Sequence, residues 1–198
     1  MTPMTEKQRM LAGELYLACD AELAADRRRA RDMLREYNET SAAEIVRRLS
    51  ILSRLFGRVG PRVEIEPPFR CDYGYNIFAG DRLYMNFGCV VLDCAPVHIG
   101  DNVSFGPYVQ LCAAHHPTDP EIRRTGRELA GPIRIGQNVW IGAGAIVCNG
   151  VTIGDDATIG AGSIVTSDIP AKVVAAGNPC RVIRALDRAT RLFRNAPA

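Results

Sequence analysis

An apolar residue recurs at every sixth position through much of the second half of the chain, and a glycine often follows it. The repeat is clearest at Ile135-Gly136, Ile141-Gly142, Ile153-Gly154 and Ile159-Gly160. A small or β-branched residue tends to stand four positions after the apolar one, as Val139 does after Ile135. This period is typical of a parallel β-helix, in which stacked coils bury the apolar position.

Longer similarities predict that each coil contains three such units. The segment beginning at Val97 resembles the one at Ile133, 36 positions later, and a third copy begins at Val151, after a further 18. The position after the apolar residue also indicates three units per coil. It is often glycine in two of the three units, whereas the third unit has Cys112, Cys148 or Thr166 there. We therefore expect triangular coils, with glycine at corners that need a positive φ or close backbone approach.

Composition excludes several classes of protein. The chain has 198 residues, of which 47% are hydrophobic, and this suits one domain with a small appendage. A net charge of +2 is too small for a general nucleic-acid-binding protein, and no apolar run reaches the length of a membrane span. Glu6, Lys7 and Arg9 interrupt what would be the core of a signal peptide, so we expect a cytoplasmic protein. The seven cysteines show no CxxC spacing, and those in the repeats are predicted to be small core residues, neither disulfides nor metal ligands.

The residues before the coils, 1–60, have a helical pattern. Thr5 with Gln8, and Ser41 with Glu44, form predicted capping boxes, and Asp20 is predicted to cap a helix between them. These residues therefore predict an N-terminal helical segment that precedes the coils.

The coils are predicted over residues 61–183, but the period lapses between residues 117 and 131, which are mostly polar. The spacing from Leu111 to Ile135 is a multiple of six, so the phase of the coils survives this loop. A loop of this length is uncommon in a solenoid unless it is functional. After the coils, a helix is predicted from Cys180 to Arg194, and residues 184–198 form the predicted helical tail.

Five segments carry a family resemblance: AGELY (12–16), EPPFRCDYGYNIF (66–78), the His116-Pro117 dipeptide, IGQNVWIGAGA (135–145) and VAAGNPCRVI (174–183). Together they resemble the maltose and galactoside O-acetyltransferase family, which includes nodulation acetyltransferases, and FRCDYGYNIF is closer to the maltose type. The resemblance covers nearly the whole chain. It implies a mainly β fold, a left-handed parallel β-helix, and a homotrimer with sites between subunits. It also implies acetyl transfer from acetyl-CoA to a sugar hydroxyl, without a metal.

Transfer to a hydroxyl needs a base with a pKa near 7 to remove the hydroxyl proton, and the chain has only three histidines. His116 stands where a coil meets the long loop, and it matches the family's catalytic histidine before proline. His115 is predicted to be a neighbour of the base. His98 lies 18 positions before His116, so it is predicted to stack one turn away with its side chain pointing outward.

The resemblance also implies acceptor-binding residues, because carboxylates, amides and phenols hydrogen-bond sugar hydroxyls. They are Asp72, Tyr84, Asn86, Asp93 and Glu128, with Asp20 as a substitute for an acidic residue that is Ala18 here. Without the resemblance, turn chemistry would explain several of them equally well. Cys94 stands where the galactoside branch has a second aspartate, so the identity of the sugar is left open.

For acetyl-CoA, whose phosphates favour arginine, lysine and backbone N–H groups, the resemblance implies a second set of residues. It consists of Arg181 and Arg184 near the nucleotide, Asn86 near the thioester, and Ala143, Ala161, Thr166 and Ser167 beside the coils. Small residues at 143 and 161 leave room for a pantetheine arm, although they are also ordinary repeat residues. Trp140 is predicted to point outward, where it would wall the site or pack in a subunit interface.

Three other interpretations remain open on sequence alone. An enzyme that acetylates an antibiotic or another small alcohol would share the same coils, because specificity depends on the pocket. A γ-type carbonic anhydrase would need three zinc-binding histidines, and no histidine follows His116. A non-catalytic scaffold would have no need of His116, Asn86 or the basic C-terminal turn.

Overall fold

Three helices precede the first coil in the computed structural model, which describes residues 3–186. They are α1 Glu6–Ala12, α2 Ala21–Asn38 and α3 Ile45–Leu55. The capping box predicted for α1 is confirmed, since Thr5 Oγ1 accepts from the Gln8 N–H at 3.2 Å and Gln8 Oε1 accepts from the Thr5 N–H at 2.9 Å. The two reciprocal bonds satisfy backbone donors that the helix itself leaves unpaired.

The starts of α2 and α3 differ in how well the sequence predicted them. Asp20 caps α2, and its Oδ1 accepts from the N–H groups of Glu22 and Leu23. The capping box predicted for α3 is wrong, because the helix starts at Ile45 and Glu44 takes the capping position without a side-chain bond. Only half of the box forms, with the Ser41 N–H donating to Glu44 Oε2 at 2.7 Å.

The coils form three faces of parallel strands, as the six-residue period predicted. The first face contains β4 Ile77–Ala79, β7 Val97–Ile99, β12 Ile133–Ile135 and β15 Thr152–Ile153. The second contains the parallel strands β2 Glu64–Ile65, β5 Tyr84–Met85, β8 Ser104–Phe105, β13 Trp140–Ile141, β16 Thr158–Ile159 and β18 Val173–Ala176, and it ends in an antiparallel strand, β19 Arg181–Ala185. The third contains β3 Arg70–Cys71, β6 Val90–Leu92, β9 Gln110–Cys112, β14 Ile146–Cys148 and β17 Ile164–Val165.

The apolar positions of the repeat stack inside the coils. Ile99, Ile135 and Ile153 are in register on adjacent strands, and all three are buried. Between β12 and β15 one coil takes 18 residues, because Arg134 pairs with Thr152. Earlier coils take 20, since Phe78 pairs with His98. The two additional residues explain why the sequence period is irregular before Val97.

The corner glycines are explained by close approach of neighbouring coils. A Cβ at Gly142 would lie 2.5 Å from the backbone nitrogen of Ala161 in the next coil, a distance that atoms do not tolerate. Positive φ occurs at other corner positions, including Asn102, Asn138 and Asp156. Asparagine and aspartate tolerate that conformation better than other non-glycine residues.

The long loop folds back onto the N-terminal segment of its own chain. A strand β10 Ala114–His115 leads into it, a short helix α4 Pro120–Arg124 follows, and β11 Arg127–Ala130 returns to the coils. β11 pairs antiparallel with β10 on one side and with β1 Tyr16–Leu17 on the other. This three-stranded sheet brings the start of the chain next to the point at which the loop leaves the coils.

The predicted C-terminal helix is wrong where the structure describes it. Residues Arg181–Ala185 form β19, which pairs antiparallel with β18, and the rest of the predicted helix lies outside the described residues. The turn at 177–180 reverses the chain onto β18, whose outward backbone groups would otherwise be unpaired. Within residues 3–186, no helix is both long and apolar enough to cross a membrane.

Candidate active site

A cavity of about 390 Å³ opens where the third face of the coils turns into the first. We call this corner the loop edge and define it by Asp72, Cys94 and His116, all of which line the cavity. Helix α2 and the loop strand β11 supply the other walls, through Arg27 and Glu128. The cavity therefore has several polar and charged groups around a single histidine.

His116 lies directly after β10, at the mouth of the cavity, with its side chain exposed. The preceding residue, His115, faces its carbonyl, with Nδ1 3.3 Å from the His116 oxygen. The prediction that His98 stacks one turn from His116 is wrong, because the chain leaves the regular coil after Ala113. His98 instead stacks on Phe78 on the first face, with ring centroids 4.8 Å apart. The three histidines therefore do not converge.

Asp72 forms one side of the cavity, half-buried between charged and thiol groups. Cys94 Sγ donates to Asp72 Oδ2 at 3.5 Å. Burial raises the pKa of Asp72, while the Cys94 hydrogen bond and the nearby guanidinium groups of Arg27 and Arg31 act in the opposite direction. Cys94 is thus a neutral donor beside a carboxylate, where a second aspartate would add a like charge.

Asp93 does not line the cavity but lies beneath it, with no exposed surface. Its Oδ1 accepts from the N–H groups of Asp72 and Tyr73 at 3.1 and 2.9 Å, and its Oδ2 accepts from the Asn76 N–H at 3.3 Å. Burial raises the pKa of Asp93 to about 6, although these N–H groups favour the ionised form. The prediction of direct contact between Asp93 and an acceptor is therefore wrong, because the carboxylate is buried and holds the turn that positions Asp72.

Glu128 and Arg27 connect the cavity to the N-terminal segment. Glu128 Oε2 accepts from the Tyr16 hydroxyl at 3.1 Å, which fixes the carboxylate on β11. Arg27 donates through Nη1 to the Tyr73 hydroxyl at 2.7 Å and through Nη2 to the Ala18 carbonyl at 2.5 Å. Sequence reasoning missed Arg27 and Tyr16, because an arginine in an arginine-rich helix is indistinguishable from a solvated surface residue.

Asp20 does not contribute to the cavity, contrary to the prediction that it replaces a missing acidic residue. Its side chain caps α2, with Oδ1 already accepting two backbone N–H groups. Ala18 lines the cavity instead. The wall at this point is therefore short and apolar.

Several of the other predicted residues lie at a different corner of the coils. Asn86, Ala143 and Ala161 follow strands of the second face, at the corner with the third face. We call this corner the alanine edge and define it by Ala143 and Ala161. The whole third face separates it from the loop edge, so one chain does not bring Asn86 to His116.

The remaining predicted residues, from the acceptor set as well as the acetyl-CoA set, are spread over early and late coils. Thr166 and Ser167 follow β17 on the loop edge, whereas Tyr84 and Trp140 lie on the second face, on β5 and β13. Trp140 is exposed, as predicted. Arg181 and Arg184 are exposed on β19, and no further sequence signal distinguishes them from other surface arginines.

The alanine edge has room for a ligand along the coils. Ala143 and Ala161 are both exposed. The glycines that follow them, Gly144 and Gly162, have φ values of +67° and +68°, and no atom within residues 3–186 lies within 4 Å of an added Cβ at either. A narrow arm bearing amides therefore fits against this edge without displacing side chains.

Comparisons with known proteins agree with this architecture. Residues 9–60 match the maltose acetyltransferase hexapeptide capping motif, and residues 132–167 match the bacterial transferase hexapeptide family. Nodulation protein L of Rhizobium meliloti (strain 1021) is 52% identical over 178 residues, which cover 90% of this chain and 97% of that protein.

Solved structures show the same fold over almost the full length. A maltose O-acetyltransferase from Clostridium difficile 630 superposes with a TM-score of 0.92 at 47% identity, covering 93% of this chain and 99% of that one. A galactoside acetyltransferase in complex with coenzyme A superposes with a TM-score of 0.93 at 40% identity, covering 99% of both chains. The chain therefore belongs to the maltose and galactoside O-acetyltransferase family of hexapeptide-repeat acyltransferases.

Proposed function

We propose that the protein transfers an acetyl group from acetyl-CoA to a hydroxyl of a sugar or glycoside, with His116 as the general base. The observation that supports this most is the cavity at the loop edge, where one histidine faces two carboxylates and Arg27. Such groups bind hydroxyls through directional hydrogen bonds and leave the imidazole free to move a proton. The coenzyme A complex of a close structural relative supports the choice of donor.

In this mechanism His116 accepts the proton of the acceptor hydroxyl while the hydroxyl oxygen bonds to the acetyl carbon. Acetyl-CoA, when bound, supplies that carbon as a thioester. The carbon–sulfur bond breaks as the ester forms, and the His116 imidazolium returns the proton to the departing sulfur. Asp72 and Glu128 would orient the acceptor, since both carboxylates line the cavity and Glu128 is fixed by Tyr16.

The position of the donor follows from the open edge and the basic strand. The pantetheine arm would lie along Ala143 and Ala161, where no side chain obstructs it. Arg181 and Arg184, both exposed on β19, would meet the phosphate groups. Guanidinium groups suit this role because their paired N–H donors match phosphate oxygens.

We further propose a homotrimer in which each site is shared by two copies of the chain. His116 lies on the loop edge and Asn86 near the alanine edge, and the third face separates them within one chain. A second copy that placed its alanine edge against the loop edge of the first would bring the two sets together. Closed cyclic symmetry would repeat this contact at every site.

A mixing experiment tests the shared site. We expect His116→Ala and Asn86→Ala to be inactive alone and active when the two are co-expressed in one oligomer. Random assembly gives about one quarter of sites with both residues intact, so activity should reach about one quarter of wild type. Mixed oligomers confirmed by native mass spectrometry that stay inactive would place the whole site in one chain.

The cofactor placement gives a second prediction. We expect Arg181→Ala and Arg184→Ala each to raise the KM for acetyl-CoA by roughly three- to tenfold, with little change in the KM for the acceptor, because partly exposed ion pairs contribute energies of this order. The KM for acetyl-CoA should also rise with added salt. Steady-state kinetics in both substrates measure this, and equal effects on the two KM values would contradict the assignment.

The function itself is tested by acetyl-CoA turnover against a panel of sugars, glycosides and small alcohols, including a hydroxyl-bearing antibiotic. Turnover with sugars and glycosides, followed by mass spectrometry of the acetyl ester, is the expected result. Turnover restricted to the antibiotic or to simple alcohols would replace the acceptor and keep the chemistry. Hydrolysis of acetyl-CoA with no acetylated product would refute group transfer.

A further inference from the structure

A second cavity adjoins the one that holds His116. Its volume is about 350 Å³, and Arg31, Asp72 and Leu92 line both cavities. Arg70 and Leu34 line the second cavity alone. The depression therefore extends from His116 past Asp72 and ends between two arginines from different elements, Arg31 on α2 and Arg70 on β3.

The two arginines at the far end are not held by hydrogen bonds or ion pairs within residues 3–186. Neither the Arg31 nor the Arg70 side chain makes a hydrogen bond or an ion pair with another described residue, and both are exposed. Arg27, one turn of α2 away from Arg31, differs in this respect, since its guanidinium donates to Tyr73 and Ala18. The guanidinium of Arg27 is thus held in the cavity wall by its own hydrogen bonds. The N–H groups of Arg31 and Arg70 make no such bond with another described residue and can donate to a ligand.

The second cavity carries an excess of positive charge. Two guanidinium groups face one carboxylate, that of Asp72, which already accepts from Cys94. Leu34 and Leu92 add an apolar surface between the charges. The chemistry that fits is an anionic group attached to a partly apolar body such as a sugar ring.

We propose that the preferred acceptor is an anionic glycoside whose acetylated unit lies beside His116 and whose carboxylate or phosphate is bound by Arg31 and Arg70. The two cavities share the wall formed by Arg31, Asp72 and Leu92, so a single ligand can contact both. This proposal rests on the proposed function, because it assigns the acceptor of that same reaction. It makes Arg31 and Arg70 determinants of specificity that have no part in the proton transfer.

The test compares acceptors that differ in one charge. Maltose is paired with maltobionate for the carboxylate, and methyl glucoside with glucose 1-phosphate for the phosphate. We expect the anionic member of at least one pair to have a KM roughly three- to tenfold below that of its neutral partner, the range that one or two partly exposed ion pairs supply. The advantage should shrink with added salt.

Three variants locate the origin of this preference. In Arg31→Gln and in Arg70→Gln the ratio of the neutral to the anionic KM should fall towards one. The control is Arg28→Gln, on the same helix, since Arg28 is exposed and lines neither cavity. The control should keep the wild-type ratio of the two KM values. If this ratio fell towards one in all three variants, the preference would come from the overall positive charge of the helix and not from the two arginines, and the proposal would be overturned.

Other outcomes separate this proposal from the proposed function. Turnover of neutral sugars without any preference for the anionic partners would overturn the anionic acceptor and keep the acetyltransferase. A rise in the KM for acetyl-CoA, rather than for the acceptor, in Arg31→Gln would reassign the arginines to the donor. A change of oligomeric state in Arg70→Gln, seen by light scattering, would reassign that residue to a contact between copies. No turnover with any sugar would refute the proposed function itself.

Discussion

His116→Ala should lower turnover by roughly 10²- to 10⁴-fold, the usual loss when a general base is removed. The physical reason is that His116 is the only histidine among the described residues that line the cavity, and burial raises the pKa of the nearby Cys94 thiol, which leaves it a poor base. Folding should hardly change, because the His116 side chain is exposed. Turnover is measured at saturating acetyl-CoA, with circular dichroism to confirm the fold.

The control for this prediction is the adjacent histidine. His115→Ala changes the same residue type one position earlier on β10, but His115 does not line the cavity. We expect a loss of well under tenfold. Near-native turnover of His116→Ala, or equal losses in the two variants, would mean that the proton leaves by another route.

The regular coils were predictable from the sequence, and the irregular ones were not. The six-residue period identified Ile135 and Ile153 as buried residues, because a stacked coil repeats the same environment at the same position. Before Val97 the coils take 20 residues. The additional residues interrupt the six-residue period, so these coils could not be recognised from the sequence. The C-terminal strand was mistaken for a helix, since pairing with β18 outweighs local preference at Arg181–Ala185.

The candidate site shows why only part of it could be predicted. His116 stands out because it marks a break in the repeat, whereas Tyr16 and Glu128 meet across 112 positions of sequence. Such contacts depend on the antiparallel pairing of β1 and β11, and local sequence patterns do not predict this pairing. Asp93 and Cys94 are neighbours with different roles, and only the path of the corner decides that Asp93 points beneath the cavity and Cys94 into it.

Asp93→Ala should be the most destabilising single change near the site, by about 3 kcal/mol or more, because it leaves two buried N–H groups and one partly buried N–H group without an acceptor. Those groups belong to Asp72, Tyr73 and Asn76. Urea unfolding at a fixed protein concentration measures the loss, since oligomer stability depends on concentration. At temperatures where the variant stays folded, its KM for the acceptor should also rise, because the turn that positions Asp72 is no longer held.

Two companion variants distinguish this role from that of an ordinary turn residue. Asp155→Ala removes an exposed carboxylate that accepts from the Gln137 N–H in a comparable corner, and it should cost much less. Asp72→Ala should raise the acceptor KM with little loss of stability. Equal destabilisation by Asp93→Ala and Asp155→Ala would show that the buried carboxylate has no special part in holding the corner.

The pH dependence of stability gives an independent test of how burial affects the Asp93 carboxyl. The folded pKa of Asp93, about 6, is above the ordinary value of 3.8, so the folded protein binds this proton more tightly than the unfolded chain does. Stability from this group is therefore present below pH 3.8 and falls as the pH rises to about 6, after which it is constant. Asp93→Asn cannot titrate, so the difference in unfolding free energy between wild type and this variant should shift in favour of the variant across that interval. A difference that stays constant from pH 4 to 7 would show that the carboxyl titrates equally in both states, and that its three N–H partners fully offset its burial.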